Sequence, residues 1–138
     1  MELVIDANII ISALISPTGK TSEIIFSDKL KLYAPKYLQE EISKHMREIS
    51  KKSGLSDEEI EILLSLMFLN IEIISFPNFK KFMKQASEIC PDPNDEEYFA
   101  LSLKLKCPLW SNDAKLKHGQ NLLKVLNTGE VVSIFFKS

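Results

Sequence analysis

The sequence predicts an α/β fold built on a mostly parallel sheet covered by helices. Short apolar runs alternate with longer segments of helical period along the whole chain. Runs such as Leu3 to Ile5 and Pro108 to Trp110 are apolar throughout, as strands buried on both faces are. These two runs are also followed directly by carboxylates, Asp6 in LVIDAN and Asp113 in PLWSNDAKL. In open α/β sheets the ligand crevice lies outside the carboxyl ends of the strands, where strand order reverses.

Leu3 to Ile5 is the first expected strand, and the apolar run Ile9 to Ile15 continues as a helix behind the Asp6 turn. SPTGKTSEIIF supplies a loop and a second helix, with Thr21 or Ser22 as its cap. Leu30 to Ala34 is the second strand, stopped by Pro35. Tyr37 to Lys52 reads as one helix with Leu38, Ile42, His45 or Met46, and Ile49 on its apolar stripe, ended by Ser53-Gly54. Ser56 to Glu59 has the pattern of a capping box and opens a helix from Asp57 to about Phe68. Ile71 to Ser75 is the third strand, and Asn78 to Ile89 a helix with Phe79, Phe82, Met83, Ala86 and Ile89 at core spacing. After the CPDPND loop, Asn94 or Asp95 starts a helix running through Lys106. Pro108 to Trp110 is the fourth strand and Leu122 to Leu126 a short fifth. Thr128 to Phe136 is a terminal helix capped by Thr128, although VVSIFF also has β propensity.

A chain of 138 residues with 45% hydrophobic content closes one core, so a single domain over residues 1–138 is expected. The net charge of -2 and pI near 5.7 argue against broad adhesion to nucleic acid, while leaving room for a local basic patch beside an acidic cleft. Glu2, Asp6 and Asn8 interrupt the apolar opening, which also lacks the basic start of a signal peptide. No apolar run approaches the ~20 residues that cross a bilayer. A cytoplasmic protein with no membrane partner is expected. Cys90 and Cys107 stand apart, with no CxxC and no histidine cluster, so packed thiols are expected rather than zinc ligands or a disulfide.

The chemistry rests on acids in four settings: Asp6 in LVIDAN, Glu41 in YLQEEIS, Asp95 in DPNDEEYFALSL and Asp113 in PLWSNDAKL. Each aspartate has a bland explanation as a turn or helix cap, as does Asp92 in its Pro-flanked turn. Glu41 lies inside a helix and is no cap; its bland explanation is a solvated face. Two strand ends and two helix positions that one crevice can collect make a common divalent-cation site the stronger reading. Asn8, two residues after Asp6, and Ser111, two before Asp113, add an amide and a hydroxyl at the same strand ends.

VIDANIIISAL, APKYLQEEI, DPNDEEYFALSLKL and LWSNDAKL, in that order and at that spacing, resemble the PIN-domain family of ribonucleases. The resemblance spans essentially the whole chain. It implies a three-layer α/β/α sandwich with strand order 3-2-1-4-5, which places Asp6 beside Asp113. It implies a divalent-metal-dependent endoribonuclease using Mg²⁺ or Mn²⁺, with Asp6, Glu41, Asp95 and Asp113 as catalytic and metal-binding residues. Asn8, Ser111, Lys44, Arg47 and Lys115 are then supporting or substrate-binding residues. The match is softer at Glu41, because Glu40 is adjacent and a slip of one residue turns the side chain by ~100°. Partners implied are single-stranded or structured RNA and, as for many small members, a protein antitoxin opposite a toxin.

Two alternatives share parts of this pattern. A PIN-type RNA-processing or quality-control nuclease uses the same chemistry on another partner. A non-catalytic Mg²⁺-binding signalling or RNA-binding module also places acids at strand ends. A receiver-like module, however, wants an acidic pair after the first strand and a lysine after the last, where this chain has Asp6-x-Asn8 and Asn127. Gly19-Lys20-Thr21 is not a phosphate loop, since Leu14 stands where the first glycine is needed. His45 is expected as a packed residue and His118 as a turn residue or backbone contact. Lys44, Arg47, Lys51 and Lys52 form a basic tract on the helix of Glu41. IEILLSLMFL is apolar almost all round, more than one side of a small sandwich buries, so a homodimer or partner surface on that helix is expected.

Overall fold

The computed structural model describes residues 1–136. The fold is a parallel sheet of five strands, β1 (Glu2–Ile5), β2 (Lys31–Pro35), β3 (Ile71–Ile74), β4 (Leu109–Trp110) and β5 (Val125–Leu126), in the order β3-β2-β1-β4-β5. Helices flank it: α1 (Ala7–Ile15), α2 (Lys20–Ile25), α3 (Tyr37–Lys44), α4 (Met46–Ser53), α5 (Asp57–Phe68), α6 (Met83–Ile89), α7 (Glu96–Leu105), α8 (Ala114–His118) and α9 (Thr128–Phe135). The chain runs outward from β1 through β2 to β3 and then crosses back to β4 beside β1. Accordingly α1 packs with α2 to α5, while α7 packs with α6 and over β1, β2 and β4. The expected three-layer arrangement and strand order are both present.

The order makes β1 and β4 neighbours, with Ile5 opposite Trp110. Asp6 and Ser111 therefore leave adjacent strands side by side at the switch point. The core around them is dry: Leu3, Val4, Ile5, Ile9, Ile10, Phe99, Leu109 and Trp110 are all 0% exposed. Burying such side chains contributes roughly 1.5–3 kcal/mol each and gives the sheet edge a rigid floor.

Several expected boundaries move. The helix expected from Tyr37 to Lys52 breaks at His45 (φ -107°, ψ 7°), where His45 N–H donates to the Ile42 carbonyl at 3.0 Å and tightens the turn. Only Lys44 of the basic tract is thus on the helix of Glu41; Arg47, Lys51 and Lys52 belong to α4. His45 itself is half-buried at this break. The helix expected from Asn78 begins only at Met83, because Phe76–Asn78 and Lys80–Phe82 form 3₁₀ turns around Phe79, whose ring is buried. α2 is capped by Gly19 without a side-chain bond, so neither Thr21 nor Ser22 caps it. The fifth strand starts at Val125 because the Gln120 side chain binds the backbone of Leu116, Leu122 and Leu123 and holds that stretch in a turn. α9 is capped by Asn127 in a capping box with Glu130, not by Thr128. α5 has the expected ends and the expected Ser56–Glu59 box, and Gly54 at φ 76° closes α4 in the left-handed conformation that favours glycine.

Candidate active site

Asp6 and Asp113 both cap the helix that follows their strand. Asp6 Oδ1 accepts from Ile9 N–H at 3.1 Å, and Asp113 Oδ1 from Lys115 N–H at 2.9 Å. The cap reading is correct for both, and it leaves the remaining oxygens of each carboxylate without a backbone task. The surroundings differ: Asp6 is 3% exposed, whereas Asp113 is half-buried. Burial pushes the Asp6 carboxyl up from 3.8 to about 6, against the pull of the Ser111 hydroxyl and the Ile9 N–H; Glu41 and Asp113 add repulsion.

Asp95 is different in kind. It precedes α7 and its side chain makes no capping bond, so the cap explanation fails there. Half-buried, its carboxyl is pushed up to about 7, first by desolvation, then by repulsion from Asp6, Asp92, Glu41 and Asp113. Glu41 faces inward from α3 and accepts a hydrogen bond from the Tyr98 hydroxyl, while Glu40 is exposed. Desolvation raises the Glu41 carboxyl; the Tyr98 bond, Lys44 and His45 pull it back. Asp6 and Asp113 follow the neighbouring strands β1 and β4, and the Tyr98 bond joins Glu41, on the helix after β2, to α7, which Asp95 opens, so all four acids lie toward the carboxyl edge of the sheet. Among the described residues no ion pair involves any of them.

The loop carrying Ser111 and Asp113 is tied down from behind. Trp110 Nε1–H donates to Thr128 Oγ1 at 3.0 Å, and Thr128 donates from its N–H and its hydroxyl to Asn112 Oδ1 at 2.8 and 3.1 Å. Ser111 is buried, and its Oγ accepts from Asp113 N–H at 3.2 Å. Asn8 is exposed on the first turn of α1, Lys44 on α3, Arg47 on α4 and Lys115 on α8. Tyr98, Asp92 and Thr128 were not singled out from sequence as site residues. Tyr98 stands three residues after Asp95, on the same helical face, a spacing that could have flagged it.

The donors suit a hard divalent cation: carboxylate and hydroxyl oxygens, with two acids held well above their ordinary range by burial and mutual repulsion. Among the described residues no three His, Cys, Asp or Glu side chains form a ready-made cage. Mg²⁺ needs none, because it keeps several waters and takes one or two carboxylates directly.

The family model of the PIN domain matches residues 4–131. The chain belongs to the PIN-domain family. PIN domains are generally nucleases. An uncharacterized protein of Methanocaldococcus jannaschii is 25% identical over 119 residues, covering 84% of this chain and 73% of its own length. The fold also matches a chain in a crystal structure of VapBC2 from Rickettsia felis bound to a DNA fragment from their promoter. That match has a TM-score of 0.64 at 15% identity and covers 92% of this PIN domain and 98% of the other chain. No helix among the described residues of the PIN domain is long and apolar enough to cross a membrane.

Proposed function

We propose that this PIN domain is a divalent-metal-dependent endoribonuclease acting as the toxin half of a toxin-antitoxin pair. The observation that carries the reading is the almost fully buried Asp6 on a rim shared with Glu41, Asp95 and Asp113, with no basic partner among the described residues. An uncompensated buried carboxylate is costly unless a cation compensates it.

Asp6, Asp95 and Asp113 would hold the cation, directly or through its waters, and Ser111 would steady Asp6. A Mg²⁺ or Mn²⁺ ion bound there would supply positive charge that acidifies a water and offsets charge developing on phosphorus. Glu41, its carboxylate oriented by Tyr98, would take the proton from the attacking water. Lys44, Arg47 and Lys115 hold flanking phosphates, and Asn8 contacts the scissile one. Water rather than the 2′-hydroxyl is the nucleophile, so the products carry 5′-phosphate and 3′-hydroxyl ends. The exposed face of α5, with Ile62 64%, Leu66 48% and Leu69 81% exposed, is assigned to homodimer formation. The VapBC2 match favours an antitoxin partner over RNA processing or quality control.

The test is cleavage of a defined panel of single-stranded and structured RNAs in Mn²⁺, in Mg²⁺ and in EDTA, with mapping of both product ends. Internal cuts with 5′-phosphates that vanish in EDTA are expected. Cyclic-phosphate ends or EDTA-resistant cutting would sink the mechanism.

A further inference from the structure

The stripe of α3 that carries Glu41 holds two further side chains. Tyr37, Glu41 and Lys44 are spaced i, i+4, i+7, so they line one face of the helix over two turns, about 10 Å. Tyr37 is half-buried, with one edge packed on Tyr98 at a centroid distance of 6.5 Å and 54° between the ring planes. Tyr98 is the residue that donates to Glu41, and its ring stands between Tyr37 and that carboxylate. Tyr37 therefore lies one ring away from the Glu41 carboxylate, at the lip of the acidic rim. Above it, the Lys44 ammonium stands 5.9 Å from the ring centre.

The ring is packed against the core on one side and open on the other. Aromatic rings at the edge of a phosphodiester site bind unpaired bases by stacking, and a neighbouring ammonium binds the adjoining phosphate. Lys44 is exposed and reaches from a flexible stem, so a base that takes the ring face releases the ammonium to the next phosphate. A base in a continuous duplex is already stacked on both sides and cannot take that place.

We propose that Tyr37 is a stacking platform for one unpaired base beside the scissile phosphate, and that Tyr37 with Lys44 restricts the substrate to single-stranded RNA. This rests on the nuclease reading for its context, but base stacking is measurable without cleavage. Two measurements on wild type, Tyr37→Phe, Tyr37→Ala and Tyr37→Leu decide it. One is binding of short RNAs in EDTA and in Ca²⁺, with 2-aminopurine scanned through the strand. The other is cleavage kinetics in Mn²⁺ on the same strands, intact or with a single abasic residue.

Fluorescence quenching at one position is expected for wild type and Tyr37→Phe and absent for Tyr37→Ala and Tyr37→Leu. KM should rise about 10- to 100-fold in the Ala and Leu variants, with kcat within a few-fold of wild type. One abasic residue beside the cut should cost wild type the same factor and cost Tyr37→Ala nothing further. Tyr37→Leu keeps apolar bulk against Tyr98, so it separates stacking from packing if Tyr37→Ala folds poorly. Equal abasic penalties in wild type and Tyr37→Leu would overturn the proposal, as would duplex RNA bound as tightly as the single strand. If wild type quenches and Tyr37→Leu does not, yet no strand is cut, the platform stands and the nuclease reading falls.

Discussion

At the carboxyl edge of the sheet Asp6 is 3% exposed, while on the outer face of α5 Ile62 is 64% exposed and Leu69, just past its end, 81%. Charge lies inside in one region and oil outside in the other, and both run against the usual sorting of side chains. The secondary structure is regular in each: Asp6 caps α1, and α5 has a complete capping box. Neither departure is a local folding fault. In the proposed function each marks a surface finished by something else, a cation at the rim and a second apolar surface at α5.

The largest effect expected is at the rim. Asp6→Asn keeps the volume and removes the central charge, so Mn²⁺-dependent cleavage should fall by about 10³-fold or more, matching several kcal/mol of lost charge stabilisation. Product formation under single-turnover conditions checks it. A variant with more than a tenth of wild-type activity would remove Asp6 from the chemistry.

The α5 face should respond to a different change. Leu66→Lys with Leu69→Lys places two charges where apolar contact is expected, forfeiting roughly 1.5–3 kcal/mol of burial per side chain. Light scattering at micromolar concentration should show the dimer mass fall to that of the monomer, with the Tm nearly unchanged because both residues are exposed in the single chain. A wild type that is already monomeric would leave α5 as an ordinary exposed face and end the symmetry of the comparison.

Much of this contrast was legible in the sequence. IEILLSLMFL shows an excess of apolar faces, and Asp6 and Asp113 directly follow strand-like runs. The strand order rested on family resemblance, since nothing in the runs themselves says which strands pair. Glu40 and Glu41 could not be separated by period alone, and the structure separates them through Tyr98, a contact 57 residues away in the chain. The break at His45 and the 3₁₀ turns around Phe79 escaped because tertiary packing sets them and no internal glycine or proline marks His45. Thr128 was expected to cap α9, yet its hydroxyl is taken by Trp110 and Asn112. Local patterns find caps and periods; they do not show which partner claims a side chain first.

A smaller effect sharpens the rim. Tyr98→Phe removes the bond that orients Glu41, and a hydrogen bond to a charged group contributes about 1.5–3 kcal/mol. Cleavage should drop about tenfold or somewhat more. The same bond lowers the Glu41 carboxyl, so its loss should move the acid limb of the pH–rate profile to higher pH. An unchanged acid limb would mean that Glu41 is not the group seen in that limb.

The central claim is that the buried charge of Asp6 is held for a cation. Its carboxyl is raised from 3.8 to about 6, so the folded state binds this proton more tightly than the unfolded chain, and stability must fall as pH rises from about 4 to above 6. For a fully buried group that shift corresponds to roughly 3 kcal/mol lost at pH 8. The decisive measurement is the Tm of wild type and Asp6→Asn from pH 4 to 8, in EDTA and across a Mn²⁺ series. Without metal, wild type should lose stability over that range more steeply than Asp6→Asn, and at pH 8 the variant should melt at or above wild type. Mn²⁺ should restore wild type in a concentration-dependent way and move the variant much less. A variant clearly less stable than wild type at pH 8 in EDTA, with equal Mn²⁺ shifts in both proteins, would mean that the Asp6 charge serves the fold rather than a cation and contradict the claim.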